Sequence, residues 1–124
     1  FPHIDAWNEG RRSAAHRYNA LLADVPGVIT PKEEAFGKHV YHQYTIRIPD
    51  GKRDAVQKTL DDAGVGSFIY YPVPLHKLPV YQGMELTVPI AEQVCGEALS
   101  LPIWPKIEES VQARVVGVIR DALQ

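Results

Sequence analysis

Helical spacing of apolar residues marks several stretches of the chain. In the first of them Trp7, Tyr18 and Leu22 recur at intervals typical of one helix face, and Asp5 is the expected N-cap. A proline at position 89 suits the first turn of a later helix, because proline has no amide hydrogen to leave unpaired there. The pattern predicts four helices, at residues 5–23, 52–63, 89–98 and 107–123.

Alternation of side chains predicts the strands. The strongest candidate is 39–48, which is rich in β-branched and aromatic residues. Its alternation places one set of residues on a common face: Val40, His42, Tyr44, Ile46 and Ile48. Shorter strands are expected within 28–38, which also holds a loop, and at 65–71 and 99–103.

Three prolines, Pro72, Pro74 and Pro79, exclude regular structure from residues 72–81 and predict an extended, stiff loop. The order of helices and strands predicts an α/β fold, a small sandwich in which one sheet is covered by helices on one main face. We expect one domain, 1–124, with an opening helix in 1–25 and the sandwich in 26–124.

Composition excludes several classes of function. The net charge is -2, which gives no attraction to nucleic acid, and no apolar run is long enough to span a membrane. The single cysteine, Cys95, excludes an internal disulfide, and cytoplasm is the natural compartment. A metal site is not expected, since His39 and His42 face opposite ways on a strand. The chain does not begin with Met, so we expect a fragment of a longer protein.

Aromatic and imidazole side chains are concentrated in three short segments, the two strands at 39–48 and 65–71 and the proline loop. Tyrosine offers a flat face for stacking and a hydroxyl for sugar or phosphate, so a ligand surface is one interpretation. Packing on strands, where tyrosine is favoured, is the other. The residues are Tyr41, His42, Tyr44, Tyr70, Tyr71, His76 and Tyr81.

Nucleophilic catalysis has little support in the sequence. None of the serines lies in a Gly-x-Ser-x-Gly context, and there is no glycine-rich phosphate loop. Cys95 lies in a predicted helix, where a small buried apolar role is expected.

Five segments, in order and covering nearly the whole chain, resemble the DegT/DnrJ/EryC1/StrS aminotransferase family. Tyr70-Tyr71-Pro72-Val73-Pro74-Leu75-His76 is the most specific of them. The other segments are Arg11-Arg12 with Tyr18 and Leu22, the run from His39 to Arg47, Arg53-Asp54 with Gly64-Val65, and Pro89, Ala91-Glu92 and Leu99 to Pro102.

The resemblance implies the C-terminal small domain of a fold-type-I enzyme that depends on pyridoxal 5'-phosphate. Such enzymes move an amino group from glutamate to a keto-sugar carried on a nucleoside diphosphate, as cytoplasmic homodimers. Their Schiff-base lysine lies in the large domain, which is absent here. None of the six lysines has that lysine's context. We therefore expect no catalytic residue, no cofactor bound to this domain alone and no activity in isolation, and neither nucleic acid nor membrane as a partner.

The resemblance also implies site residues. Tyr70 and Tyr71 match the pair that reaches the substrate in family members, with Tyr71 offering its hydroxyl or ring to the diphosphate or sugar. His76 can donate to a phosphate or sugar oxygen, and Tyr81 and His42 are further candidates. Together they predict one wall of a cleft.

Two other hypotheses remain open from the sequence. One is a stand-alone module that binds a nucleotide or sugar without catalysis. The other is a domain kept for assembly, in which Ile4, Trp7 and the exposed face of the first helix form an apolar patch and the chain self-associates.

Overall fold

The computed structural model describes all 124 residues as four α-helices and a small antiparallel sheet. All four predicted helices are confirmed to within a few residues. Their order along the chain is α1 (Ile4–Leu22), β1 (Tyr44–Arg47), α2 (Arg53–Asp62), α3 (Pro89–Glu97), β2 (Ala98–Leu101) and α4 (Glu109–Leu123). At the start of α1 the N-cap is His3, and Asp5 lies in the first turn instead of capping it.

The sheet is narrower than the sequence predicts. β1 and β2 pair antiparallel, with Tyr44 opposite Leu101 and Arg47 opposite Ala98. Single bridges extend the sheet at both edges, from Ile29 to Arg47 and from Phe68 to Ser100. Residues 28–38 and 65–71 therefore contribute one bridge each where strands were expected. The strand predicted at 99–103 is shifted to Ala98–Leu101 and ends before Pro102.

The predicted strand at 39–48 is wrong in its first half. The guanidinium of Arg12 donates to the carbonyl of His39 (2.9 Å), and that of Arg11 donates to the carbonyl of Val40 (3.3 Å). Both carbonyls are thereby turned toward α1, and Tyr41 adopts a φ of 46°, which breaks the alternation. As a result Val40 and His42 are exposed and Tyr41 is buried, the reverse of the predicted faces.

Residues 72–81 are compact where an extended loop was expected. They form two single 3-10 turns, Leu75–Lys77 and Pro79–Tyr81. Pro74, with φ -65°, precedes the first turn, and Pro79 occupies the first position of the second. The prolines fix φ at values that a 3-10 turn accepts, so they begin turns here and do not prevent them.

One face of the sheet carries the core. Tyr44, Ile46 and Leu99 are fully buried and belong to one apolar cluster with residues of α1, α2 and α4. Tyr18 stacks on Tyr44 with ring centroids 4.9 Å apart and donates its hydroxyl to the carbonyl of Pro102 (3.0 Å). The opposite face is polar, where Thr45 bonds Ser100 through their hydroxyls (2.8 Å). This is the α/β arrangement expected, with helices on one main face.

Two polar contacts hold helices to their neighbours. Gln112, fully buried in α4, donates its amide to the carbonyl of Ala14 in α1 (2.8 Å). Arg53, at the start of α2, donates to the carbonyls of Cys95 (3.2 Å) and Ala98 (3.1 Å) at the end of α3. The guanidinium thus satisfies carbonyls that the end of α3 leaves unpaired, next to the negative end of its dipole. None of the helices combines the length and the apolar character needed to cross a bilayer.

Candidate functional site

The tyrosines fall into two groups. Tyr18, Tyr41 and Tyr44 are buried, and burial raises the pKa of all three hydroxyls above the ordinary value for tyrosine. Tyr70 and Tyr71 expose 41% and 74% of their surface. The packing interpretation therefore holds for the tyrosines near β1, whereas those of residues 70–81 lie at the surface.

A groove of about 820 Å³ runs between α3 and residues 72–81, the proline turn. Its wall is mostly apolar, with Tyr71 at one side and His76 among the few polar groups. The eleven lining residues are Tyr71, Pro72, Val73, Pro74, Leu75, His76, Leu78, Leu86, Val88, Ala91 and Cys95. A concave apolar surface with few polar groups is the usual form of a small-molecule site.

His76 is held within the groove wall by a carboxylate. Its side chain is only 10% exposed, and Nε2 lies 2.9 Å from Oε1 of Glu92 in the first turn of α3. Lys77 donates from Nζ to the other oxygen, Oε2, at 2.5 Å. These bonds, that of Lys77 first, lower the pKa of Glu92 to about 2. The carboxylate is therefore ionised at neutral pH and accepts one hydrogen bond on each oxygen.

The other candidate residues lie around or away from this groove. Tyr70 stacks on Phe68, with ring centroids 5.8 Å apart and planes 16° apart, and meets the ring of Tyr71 edge-on at 5.9 Å. Tyr81 is exposed on the second 3-10 turn and does not line the groove. His42 lines a separate groove of about 410 Å³ with His39 and Gln43. The structure thus brings Tyr71 and His76 together, with Tyr70 beside them, and does not bring His42 to them.

A second polar cluster centres on Glu33. Its carboxylate accepts hydrogen bonds from Arg12 and from the amide of His39 (2.7 Å), and its second oxygen lies 3.5 Å from Nε2 of His16. The bond from Arg12 is the largest of the effects that lower the pKa of Glu33 to about 2. The cluster pins residues 33–40 onto α1 and also lines a shallow depression of about 590 Å³.

Sequence reasoning missed Cys95 as a lining residue of the groove and Glu92 as the residue bonded to His76. Cys95 was expected to be a buried apolar residue, but it is only partly buried and its side chain belongs to the groove wall. Glu92 is 16 residues from His76, so nothing local in the sequence indicates their contact. A proline at the first helical position with a carboxylate three residues later could have shown that Glu92 lies in a first turn.

Comparison with known proteins finds close similarity along the whole chain. The sequence profile of the DegT/DnrJ/EryC1/StrS aminotransferase family matches residues 1–120. The "pleiotropic regulatory protein" of Geobacillus stearothermophilus is 45% identical over 98% of this chain and 33% of its own length. A UDP-N-acetyl-3-dehydro-alpha-D-glucosamine 3-aminotransferase of Acidithiobacillus ferrooxidans is 40% identical over 99% of this chain and 33% of its own.

Solved structures give the same result. DesV of S. venezuelae, in complex with a ketimine intermediate, superimposes with a TM-score of 0.90 at 35% identity, over 99% of this chain and 34% of its own. The likeness confirms the predicted fold class, a small α/β domain of a fold-type-I aminotransferase. The chain spans about a third of the length of the relatives it matches.

Proposed function

Because the chain belongs to the DegT/DnrJ/EryC1/StrS aminotransferase family, we propose that it is the C-terminal small domain of a sugar aminotransferase. The complete enzyme moves an amino group from glutamate to a keto-sugar carried on a nucleoside diphosphate. Residues 1–124 form one such domain, with α1 as its opening helix in 1–25. Alone, the domain does not transaminate.

The exposed Tyr71 on the wall of an apolar groove is the observation that carries this proposal. A ring that is 74% exposed beside a concave apolar surface offers contact area to a ligand or partner, and covering that area lowers the free energy through the hydrophobic effect. The ring can stack on a sugar or base, and the hydroxyl can bond a sugar or diphosphate oxygen. Pro72, Pro74 and Pro79 restrict the backbone of the proline turn, and this reduces the conformational entropy that is lost on binding.

The remaining candidates take supporting roles. Tyr70, held against Phe68, sets the position of the Tyr71 ring. His76 offers an imidazole to an oxygen of the substrate. Tyr81 and His42 lie outside this groove, and we assign them to the edges of the substrate that extend beyond it.

Pyridoxal phosphate is the cofactor of the proposed enzyme, and it supplies the electron sink for amino transfer. The residues present do not fit it, because the groove lining includes no lysine amine for a Schiff base and no carboxylate for the pyridine nitrogen. Lys58 and Lys77 are instead paired with Asp62 and Glu92. We therefore assign the cofactor to the large domain.

The proposal extends to a homodimer in the cytoplasm. A single cysteine without a disulfide suits a reducing compartment. A second copy of the complete enzyme supplies the opposite wall of the cleft and covers the exposed ring of Tyr71.

The test is an amino-transfer assay of the full-length protein. Glutamate is supplied with UDP- or dTDP-linked keto-sugars, and formation of 2-oxoglutarate and of the amino-sugar is measured. The 124-residue chain alone is the matched control, and we expect turnover only from the full-length protein. Absence of turnover with every keto-sugar, or equal turnover by the chain alone, would contradict the proposal.

A stand-alone binding module is the second candidate, and the groove of about 820 Å³ within a single chain is what favours it. Calorimetric titration of the 124-residue chain with UDP- and dTDP-sugars separates the two. Micromolar binding by the chain alone would favour the module. We expect weak binding or none, because only one wall of the cleft belongs to this chain.

A further inference from the structure

Two polar side-chain contacts attach the proline turn to another element of the protein, and both are made to one residue. Neither 3-10 turn contains a buried residue. The backbone hydrogen bonds of residues 72–81 are local, as from Lys77 to Pro74 and from Tyr81 to Leu78. The hydrogen bonds that join the turn to another element come from His76 and Lys77, and both end on Glu92.

The contact with Glu92 restricts the chemistry of His76. An ionised carboxylate has only acceptor oxygens, so Nε2 of His76 must carry the hydrogen in their 2.9 Å bond. A neutral imidazole with its hydrogen on Nε2 has a lone pair on Nδ1. The nitrogen left for a ligand is therefore an acceptor, which suits a donor such as a sugar hydroxyl. A phosphate oxygen has no hydrogen to offer it.

We propose that Glu92 is the positioning residue of the groove, which holds His76 by Nε2 so that Nδ1 accepts a hydrogen bond from a hydroxyl of the bound sugar. The inference rests on the proposed function, and it refines the expected role of His76 from donor to acceptor. The same bonds fix the first 3-10 turn, Leu75–Lys77, against α3.

The other groups around His76 leave this assignment intact. Lys77 lies on the same turn, but its ammonium is bound to Oε2 of Glu92 and so competes for neither ring nitrogen. Tyr71 and Cys95 also line the groove, and neither is hydrogen-bonded to His76. No carboxylate lines the groove itself, so Glu92 is the one acidic group bonded to His76.

The first experiment measures the tautomer without any ligand. Long-range ¹H–¹⁵N correlation spectra are recorded on the full-length protein, labelled at histidine, at a pH above the range in which histidine ordinarily titrates. They identify which ring nitrogen carries the hydrogen. The His76 signal is assigned by its loss in His76→Gln. In the unaltered protein we expect the hydrogen on Nε2. In Glu92→Ala the acceptor is lost, and in Glu92→Gln a single amide oxygen must accept from two donors, so we expect a mixture of tautomers in both variants. A hydrogen on Nδ1 in the unaltered protein, or an unchanged tautomer in both variants, would overturn the proposal.

The second experiment measures binding. His76→Gln keeps an amide near the position of Nε2, and hence the bond to Glu92, but has no counterpart of Nδ1. We expect it to weaken binding of UDP-glucose or dTDP-glucose about tenfold, the effect of one lost hydrogen bond, and to leave UDP or dTDP alone unchanged. An equal loss for sugar nucleotide and free nucleotide would assign Nδ1 to phosphate and refute the acceptor role.

The third comparison separates positioning from general damage. Glu92→Ala should weaken sugar-nucleotide binding about tenfold, whereas Lys77→Met, which removes an exposed ion pair and keeps the His76 bond, should change it less than about threefold. Equal losses in the two would contradict a role through His76. If the unaltered protein binds no sugar nucleotide at all, the proposed function fails, and the tautomer spectra still decide whether Glu92 orients His76.

Discussion

Residues of one chemical type have opposite roles in this protein. Tyr44 is fully buried and donates its hydroxyl to Oδ1 of Asn19 (2.7 Å), whereas Tyr71 is largely exposed and has no hydrogen bond within the chain. The difference comes from their surroundings, because Tyr44 lies on the core face of β1 and Tyr71 follows the last bridge of the sheet. Among the tyrosines, exposure therefore separates the candidate ligand residues from those that stabilise the core.

Tyr71→Ala should impair binding without impairing folding. The ring contacts solvent over most of its surface, so its removal should change the free energy of unfolding by less than about 0.5 kcal/mol. Loss of base or sugar stacking should weaken sugar-nucleotide binding by about tenfold, and thermal unfolding and titration of the full-length protein measure both effects. Val80→Ala is the control, since Val80 is equally exposed but lies outside the groove. A similar loss of binding in both variants would count against the site.

Glu33 should make stability depend on acid pH. Its hydrogen bonds, that from Arg12 first and that from the amide of His39 next, lower the pKa of the carboxyl from 4.5 to about 2. A group whose folded pKa is depressed stabilises the fold above its unfolded pKa, and that stabilisation is lost as pH falls from about 4.5 toward 2. Glu33→Gln should therefore show a flatter fall of Tm over this range than the unaltered protein. Identical slopes would show that the carboxylate contributes nothing to acid stability.

Helix α1 and the segment before α4 approach each other so closely that a glycine is required in α1. In α1 an added Cβ at Gly10 would lie 2.9 Å from the Cα of Pro105 and still closer to its carbonyl oxygen. Gly10 thus lets the segment before α4 pass directly over α1. Helix propensity alone predicts the opposite, because glycine is about 1 kcal/mol worse than alanine in a helix interior.

Gly10→Ala should therefore destabilise the protein by about 1–2 kcal/mol, since the cost of displacing backbone exceeds the gain in propensity. Gly117→Ala is the matched control in α4, where an added Cβ meets nothing within 4 Å. That variant should be neutral or up to about 1 kcal/mol more stable. Denaturant unfolding measures both, and a stabilised Gly10→Ala would disprove the close contact.

Helices were predictable from the sequence because their signals are local. In α2, for example, Val56 and Leu60 lie four residues apart, the spacing of one helix face, and both are buried. The strand at 39–48 failed because Arg11 and Arg12, some 27 to 29 residues earlier in the chain, take carbonyls that a ladder would use. In the candidate site, the residue types of 70–76 were enough to predict ligand residues from the sequence. The contact between His76 and Glu92 was not predictable, because it depends on the path of the chain between them.

As a whole the molecule presents an apolar end that its own core does not use. Phe1, Ile4 and Trp7 are all exposed at the start of α1. With a net charge of only -2, electrostatic repulsion between copies is weak. Exposed apolar residues grouped on one helix end are typical of a surface that another protein surface covers.

The 124-residue chain in isolation should therefore self-associate. Sedimentation velocity over a range of concentrations should show dimers or larger species, and Trp7→Glu should shift them toward monomer. Val80→Glu changes an exposed apolar residue elsewhere and should leave the distribution unaltered. A monomer at every concentration would exclude this use of the α1 end.

The attachment of the proline turn through Glu92 alone has a consequence for divergence. Ten contiguous residues that contribute no side chain to the hydrophobic core can be replaced without repacking it, as long as an acceptor persists at position 92. Substrate preference can then change by exchange of one short cassette between homologues, while the helices and sheet that support it are inherited intact.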